Sequence, residues 1–179
     1  MIKIVKNVLT NKERKKLIKD CKPHLIDGKE LLTIYGKYYP PGFRFPAQQT
    51  KETIYDITCF KEPINKILVS ASRALQKGLG LHQAWITCTT GKDTDCSWHN
   101  HPFKWSCVYY MKTIPFIDSG TLFKDGFMRA PQNSLIIFPG NLDHCPPTSP
   151  FRFERYTMAL DLLPPSPNPP TKVIKSDGN

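Results

Sequence analysis

The chain has 179 residues, 40% of them hydrophobic and 22% charged, with 17 prolines and 10 glycines; that composition excludes a disordered or collagen-like chain and admits one domain with a full core. No window approaches 18 consecutive apolar residues, so no helix is expected to span a membrane, and Lys3 and Lys6 interrupt any signal-peptide stretch, which predicts a cytoplasmic protein. Lys+Arg 25 against Asp+Glu 15 gives a net charge of +10, a balance that invites nucleic acid as a partner.

The first expected element is a short strand from Ile2 to Leu9. Thr10-Asn11-Lys12-Glu13 follows as a capping-box pattern and opens a helix to about Cys21, with Leu17, Ile18 and Cys21 as its apolar stripe and Lys22-Pro23 as its stop. Residues 24–52 show no clear period. Within them Tyr35, Tyr38, Tyr39, Phe43 and Phe45 alternate with prolines and a glycine, which reads as an ordered loop that either lids a site or covers one end of the core. Thr53–Phe60 reads as a strand. Glu62-Pro63 is expected to open a second helix, whose face carries Ile64, Ile67, Leu68, Ala71 and Leu75 and whose end is marked by Gly78 and Gly80.

From Ala84 the texture changes to short β-rich runs at 84–90, 104–112, 119–124, 134–138 and 152–163, punctuated by Gly, Pro, Asn and Asp, which argues for a sandwich or barrel. The expected fold class is therefore mainly β with flanking helices. Residues 1–163 form one domain in this reading, with 1–83 as supporting strands and helices and 84–163 as the β core; 164–179 is a Pro-rich flexible tail. The basic excess lies almost wholly before the core: residues 1–22 carry net +6, 23–83 net +3 and 84–163 zero. A solvated lysine face accounts for it without a polyanion. The six cysteines form no CxxC pair and read as reduced, mostly core residues.

Chemistry concentrates in the neutral half. In His99-Asn100-His101 the two histidines sit at i and i+2, on one face of an extended strand, so both imidazoles can turn to one metal. His144 follows 43 residues later, after the predicted strand 134–138 and the turn Pro139-Gly140-Asn141. A strand pair plus a distant third ligand is a way for a β fold to build a metal site with open positions; a surface histidine pair is the bland alternative. Arg155 and Thr157 also share a strand face, and a guanidinium beside a hydroxyl suits a carboxylate ligand. An inward arginine demands an anion, which is either that ligand or an internal partner, Glu154 or Asp161. A zinc site from Cys96, His99, His101 and Cys145 is a competing arrangement, weakened because adjacent strand residues His144 and Cys145 point to opposite faces.

The ordered pieces Trp98-His99-Asn100-His101-Pro102, Trp105-Ser106-Cys107-Val108-Tyr109-Tyr110-Met111, Ser119-Gly120-Thr121-Leu122-Phe123, Leu135-Ile136-Ile137-Phe138-Pro139-Gly140, His144 and Arg155-Tyr156-Thr157 resemble the iron(II)/2-oxoglutarate-dependent oxygenase superfamily, in its small prolyl-hydroxylase-like branch. The resemblance implies a double-stranded β-helix (jelly-roll) core with iron(II) at its mouth. It also implies 2-oxoglutarate as cosubstrate, chelating the metal with its far carboxylate at Arg155, and dioxygen as oxidant of a substrate C–H bond. His99 and His144 would be metal ligands, and Tyr109 or Tyr110 would line the cosubstrate pocket. One position departs from the family pattern: His101 stands where His-x-Asp/Glu would place a carboxylate. Either His101 ligates directly, or an acid such as Asp95 or Asp143 reaches the metal, or His101 stands behind the ligands. An all-imidazole set also suits zinc, copper or nickel. The expected activity is hydroxylation of an amino-acid or peptide side chain, with nucleic acid as another possible substrate. The alternatives are a non-catalytic binding module and a cupin-like three-histidine dioxygenase that does not use 2-oxoglutarate.

Overall fold

A computed structural model describes residues 1–91, 96–117 and 119–164. The chain enters as β1 (Lys3–Lys6), inside the expected span, and turns into α1 (Asn11–Cys21). The capping box forms: Thr10 Oγ1 accepts from the Glu13 amide at 3.2 Å, and Glu13 Oε2 accepts from the Thr10 amide at 2.7 Å.

Residues 24–52 are more regular than expected, holding β2 (Ile26–Asp27), α2 (Gly28–Tyr35) and β3 (Gln48–Gln49). Asp27 caps α2 by accepting from the Lys29 amide at 2.8 Å. Leu31 is its one buried side chain, too thin a stripe for helical periodicity to reveal. The strand expected over Thr53–Phe60 is not formed. A 3₁₀ turn at Ile54–Asp56 leads instead into α3 (Thr58–Leu75). Phe60 extends the buried stripe of Ile64, Ile67 and Ala71 by one turn, so helix packing overrides the β propensity of the Thr/Ile-rich run. Pro63 lies inside the helix, where it removes the bond to the Cys59 carbonyl. Gln76, in the left-handed region at φ 54, ends α3 ahead of Gly78.

The second half runs β4 (Gly80–Thr90), β5 (Trp105–Lys112), β6 (Gly120–Phe123), β7 (Gly126–Arg129), β8 (Ser134–Pro139), β9 (His144–Cys145) and β10 (Glu154–Leu163). β7 and β9 lie outside the expected set: one is largely exposed and the other is two residues long. Two antiparallel sheets result, a large one in the order β1-β8-β5-β10-β4-β3-β2 and a small one in the order β7-β6-β9.

Alternation divides the large sheet into two unlike faces. Ile86, Tyr109, Met111, Leu135, Met158 and Leu160 pack with Leu17 of α1 and with Phe60, Ile64 and Ile67 of α3. Each fully buried aliphatic or aromatic side chain of this layer contributes about 1.5–3 kcal/mol. On the opposite face Tyr110, Ile136 and Phe138 close against Phe123 of the small sheet. Beyond them Trp85, Thr87, Val108, Arg155, Thr157 and Ala159 open onto a cavity of about 650 Å³. All six cysteines are unbridged. No helix among the described residues is long and apolar enough to cross a membrane. Asp95 and the tail from 165 to 179 lie outside the described residues.

Candidate metal centre

Backbone pairing delivers the three histidines. His99 and His144 face each other across an isolated antiparallel bridge, with the His99 amide donating to the His144 carbonyl at 3.1 Å and the His144 amide donating back at 2.9 Å. His101 is fixed two residues on, its amide donating to the Gly140 carbonyl at 2.8 Å. The approach needs a glycine: a Cβ at Gly140 would meet the Phe103 carbonyl oxygen at 2.1 Å and that of His101 at 3.0 Å. Gly140→Ala is expected to push the 101–103 segment outward, lowering the thermal midpoint by about 3–10 °C and weakening metal binding. Thermal denaturation with a parallel nickel titration measures both, and wild-type values would contradict the close packing.

The candidate ligand atoms of His99, His101 and His144 all lie within 4.8 Å of one another. Behind each ring stands an acceptor for Nδ1: the Ser97 carbonyl at 2.8 Å for His99, the Leu142 carbonyl at 2.9 Å for His144 and Asp161 Oδ2 at 3.0 Å for His101. Carbonyl and carboxylate oxygens accept, so each Nδ1 carries the hydrogen and each Nε2 keeps the lone pair that can ligate. A metal-binding histidine has this form, with its outer nitrogen donating to an acceptor and its inner lone pair facing the ion. Burial, reinforced by neighbouring His99, depresses the His144 pKa to about 3, and burial lowers that of His99 as well. Both imidazoles are thus held neutral near pH 7, the form that ligates.

The same burial makes the metal-free protein acid-sensitive. Between the unfolded histidine value near 6.5 and the folded value of about 3, the unfolded chain binds a proton that the folded chain refuses, so stability falls as pH falls through that window. The metal-free thermal midpoint is expected to drop by about 5–10 °C from pH 6.5 to pH 4.5. His144→Gln should flatten the slope; an equal slope in that variant would contradict the assignment.

Asp161 is the site residue that sequence reasoning placed elsewhere. As the internal partner expected for Arg155 it is too far away, since the two lie six residues apart on β10, about 20 Å along an extended strand. Fully buried, Asp161 instead accepts from His101 Nδ1, from Gln83 Nε2 at 2.8 Å and from Ser106 Oγ at 2.6 Å. The signal available in the sequence was parity: 155, 157, 159 and 161 share one strand face. Asp143 accepts from Asn100 Nδ2 at 2.8 Å and is not grouped with the histidines. Cys96 and Cys145 line the cavity, but neither joins the cluster that could hold an ion.

At the other end Arg155, 3% exposed, donates from an Nη to the Gly120 carbonyl at 2.9 Å and stands 5.6 Å from the centre of the Tyr110 ring. Thr157 lines the cavity beside it, its hydroxyl 2.6 Å from that of Thr87. Tyr110 is fully buried behind the guanidinium, its hydroxyl bonded to Thr121 Oγ1. Tyr109, one residue earlier, points to the helix face and donates to Asn133 Oδ1 at 2.7 Å, away from the cavity.

The aromatic segment closes the outer side. Tyr39, Phe43 and Phe45 line the cavity, and Phe43 meets His99 edge-on at 6.1 Å. Glu52 lies beside them and accepts from the Tyr39 hydroxyl at 3.3 Å; burial raises its carboxyl above the ordinary glutamate value.

No protein-family model matches this sequence, and no curated protein matches it. Solved structures match in fold. AviO1 from Streptomyces viridochromogenes is 10% identical, with a TM-score of 0.64 over 94% of this chain and 92% of that one. HygX from Streptomyces hygroscopicus, crystallised with nickel and 2-oxoglutarate, is 10% identical, with a TM-score of 0.60 over 91% and 82%. A prolyl-4-hydroxylase from Pseudomonas putida is 13% identical, with a TM-score of 0.57 over 92% and 93%. The chain has the double-stranded β-helix fold that the iron- and 2-oxoglutarate-dependent oxygenases share.

Proposed function

We propose that this chain is a non-haem iron(II)- and 2-oxoglutarate-dependent oxygenase, organised as one domain over 1–163, that hydroxylates an amino-acid or peptide side chain. The observation that carries the reading is the convergence of three imidazoles whose candidate ligand atoms lie within 4.8 Å of one another, each Nδ1 committed to an acceptor and each Nε2 left to ligate. Those residues fit iron(II): a set of three nitrogen ligands leaves the remaining positions to oxygen donors. When bound, iron(II) supplies the electrons that activate dioxygen, with 2-oxoglutarate consumed to succinate and carbon dioxide. The chain's own residues do the rest. His99, His101 and His144 hold the metal, and Asp161 keeps the His101 ring oriented. Arg155 and Thr157 bind the distal carboxylate of the cosubstrate, and the Gly120 carbonyl and the Tyr110 ring fix the guanidinium for it. The aromatic segment covers the cavity and limits water. Unbridged cysteines suit a reducing, cytoplasmic setting.

A second reading rests on one observation: the carboxylate stands behind His101 instead of beside it. A three-histidine dioxygenase that does not use 2-oxoglutarate has that donor set too, with Arg155 then binding the substrate's carboxylate. Iron(II)-loaded protein given 2-oxoglutarate, ascorbate and oxygen should form succinate, and its oxygen uptake should require 2-oxoglutarate. Uptake without 2-oxoglutarate supports the second reading, and no uptake under either condition removes both.

A further inference from the structure

The metal ligands and Arg155 account for part of the cavity and leave its aromatic side unexplained. There Tyr39 and Phe43 stack with centroids 4.3 Å apart, and Phe45 stands edge-on to both at 5.0 and 5.1 Å. The wall continues to the histidines, since Trp85 stacks on His101 at 5.6 Å. Glu52 is set into this wall. Its backbone is anchored on β4 by the Ala84 amide, which donates to its carbonyl at 3.0 Å. Its carboxylate lines the cavity, with the Tyr39 hydroxyl as hydrogen-bond donor. Among the described residues no ion pair includes Glu52.

The charge pattern is inverted relative to the whole chain. The protein carries +10, but among the described residues that line the cavity the acidic groups are Glu52 and Asp143, and the one arginine, Arg155, belongs to the far end. A half-buried carboxylate is costly until an opposite charge reaches it. Aromatic ring faces are electron-rich and attract the same opposite charge. The chain's own cations show the preference on rings that line this cavity: Lys37 stands 4.9 Å from the ring centre of Tyr38, and Lys124 4.5 Å from that of Trp98. Carboxylate and rings together favour a cation attached to an apolar chain and repel phosphates and carboxylates.

We propose that the substrate is cationic: an ammonium or guanidinium pairs with Glu52 while its aliphatic stem lies along Tyr39, Phe43 and Phe45. The inference deepens the oxygenase reading, on which it rests for the meaning of the neighbouring metal, and it removes nucleic acid as substrate despite the basic composition. Binding itself requires neither metal nor cosubstrate, so the test uses the full metal-free chain. Four capped amino acids serve as probes, the Nα-acetyl methylamides of L-lysine, L-arginine, L-norleucine and L-glutamate, with free L-lysine as a fifth. The indole NMR signals of Trp85 and Trp98 report binding, because both rings line the cavity.

The lysine or arginine probe is expected to bind at least about tenfold more tightly than the norleucine probe, and the glutamate probe least. Glu52→Gln should reduce that preference to threefold or less. Comparison of capped with free lysine separates a peptide side chain from a free amino acid. Equal binding of lysine and norleucine probes, tighter binding of the glutamate probe, or no binding of any probe would overturn the proposal, in the wild-type chain alone if Glu52→Gln does not fold. Nickel and 2-oxoglutarate titrations of the same wild-type protein separate the failures. Cation preference without cosubstrate binding sinks only the oxygenase reading, and cosubstrate binding without cation preference sinks only the substrate class.

Discussion

Asp161→Asn is expected to weaken nickel or iron(II) binding by roughly ten- to one-hundred-fold while leaving the fold in place. Asparagine has nearly the same shape, so one oxygen can still accept from His101 and Gln83 while its amide nitrogen donates to Ser106 Oγ. What is lost is the charge that fixes the His101 ring with hydrogen on Nδ1 and leaves the lone pair on Nε2. Calorimetric metal titration reads the affinity, and ¹⁵N chemical shifts of His101 in metal-free protein read the tautomer directly. Asp161→Ala is expected to behave differently. It strips the acceptor from three donors at once, buried Ser106 among them, so the cost moves to stability, about 3–5 kcal/mol, seen as a thermal midpoint lower by about 10 °C or more. Metal affinity within threefold of wild type in Asp161→Asn would contradict the positioning role.

The second large effect belongs to Arg155. Truncating one member of a buried charge pair costs about 2–5 kcal/mol, so Arg155→Ala should reduce 2-oxoglutarate affinity of the nickel-loaded protein by at least about thirtyfold. Nickel affinity itself should change little, because Arg155 lies near the opposite end of β10 from Asp161. Succinate, which also has two carboxylates, should compete in the wild-type protein and lose that ability in the variant. Unchanged 2-oxoglutarate affinity in Arg155→Ala would remove the clamp.

What could be read from the sequence follows from range. Strand alternation is local, so His99 with His101 and Arg155 with Thr157 fall on common faces as expected from spacing alone. The capping box at Thr10 and Glu13 is equally local. The strand expected over Thr53–Phe60 fails because its residues are chosen by contacts with sheet side chains far along the chain: Phe60 is fully buried, and that burial extends α3 one turn toward the N-terminus. α2 escapes notice because it buries a single leucine. Asp161 and Glu52 depend on register between distant strands. Neither carries a local motif, since Gln83 and Ser106 meet Asp161 only after β4, β5 and β10 are laid side by side. Tyr109 and Tyr110 illustrate the same limit in reverse: adjacent residues must part, but which one meets the arginine is decided by which face the helices cover.

X-ray absorption of the nickel-loaded protein at the metal edge probes the three-imidazole cluster most directly. Scattering from three imidazole rings, falling to two in His144→Ala, with oxygen ligands exchanged on adding 2-oxoglutarate, is the predicted result. A sulfur ligand, or fewer than three imidazoles in the wild-type protein, would contradict it.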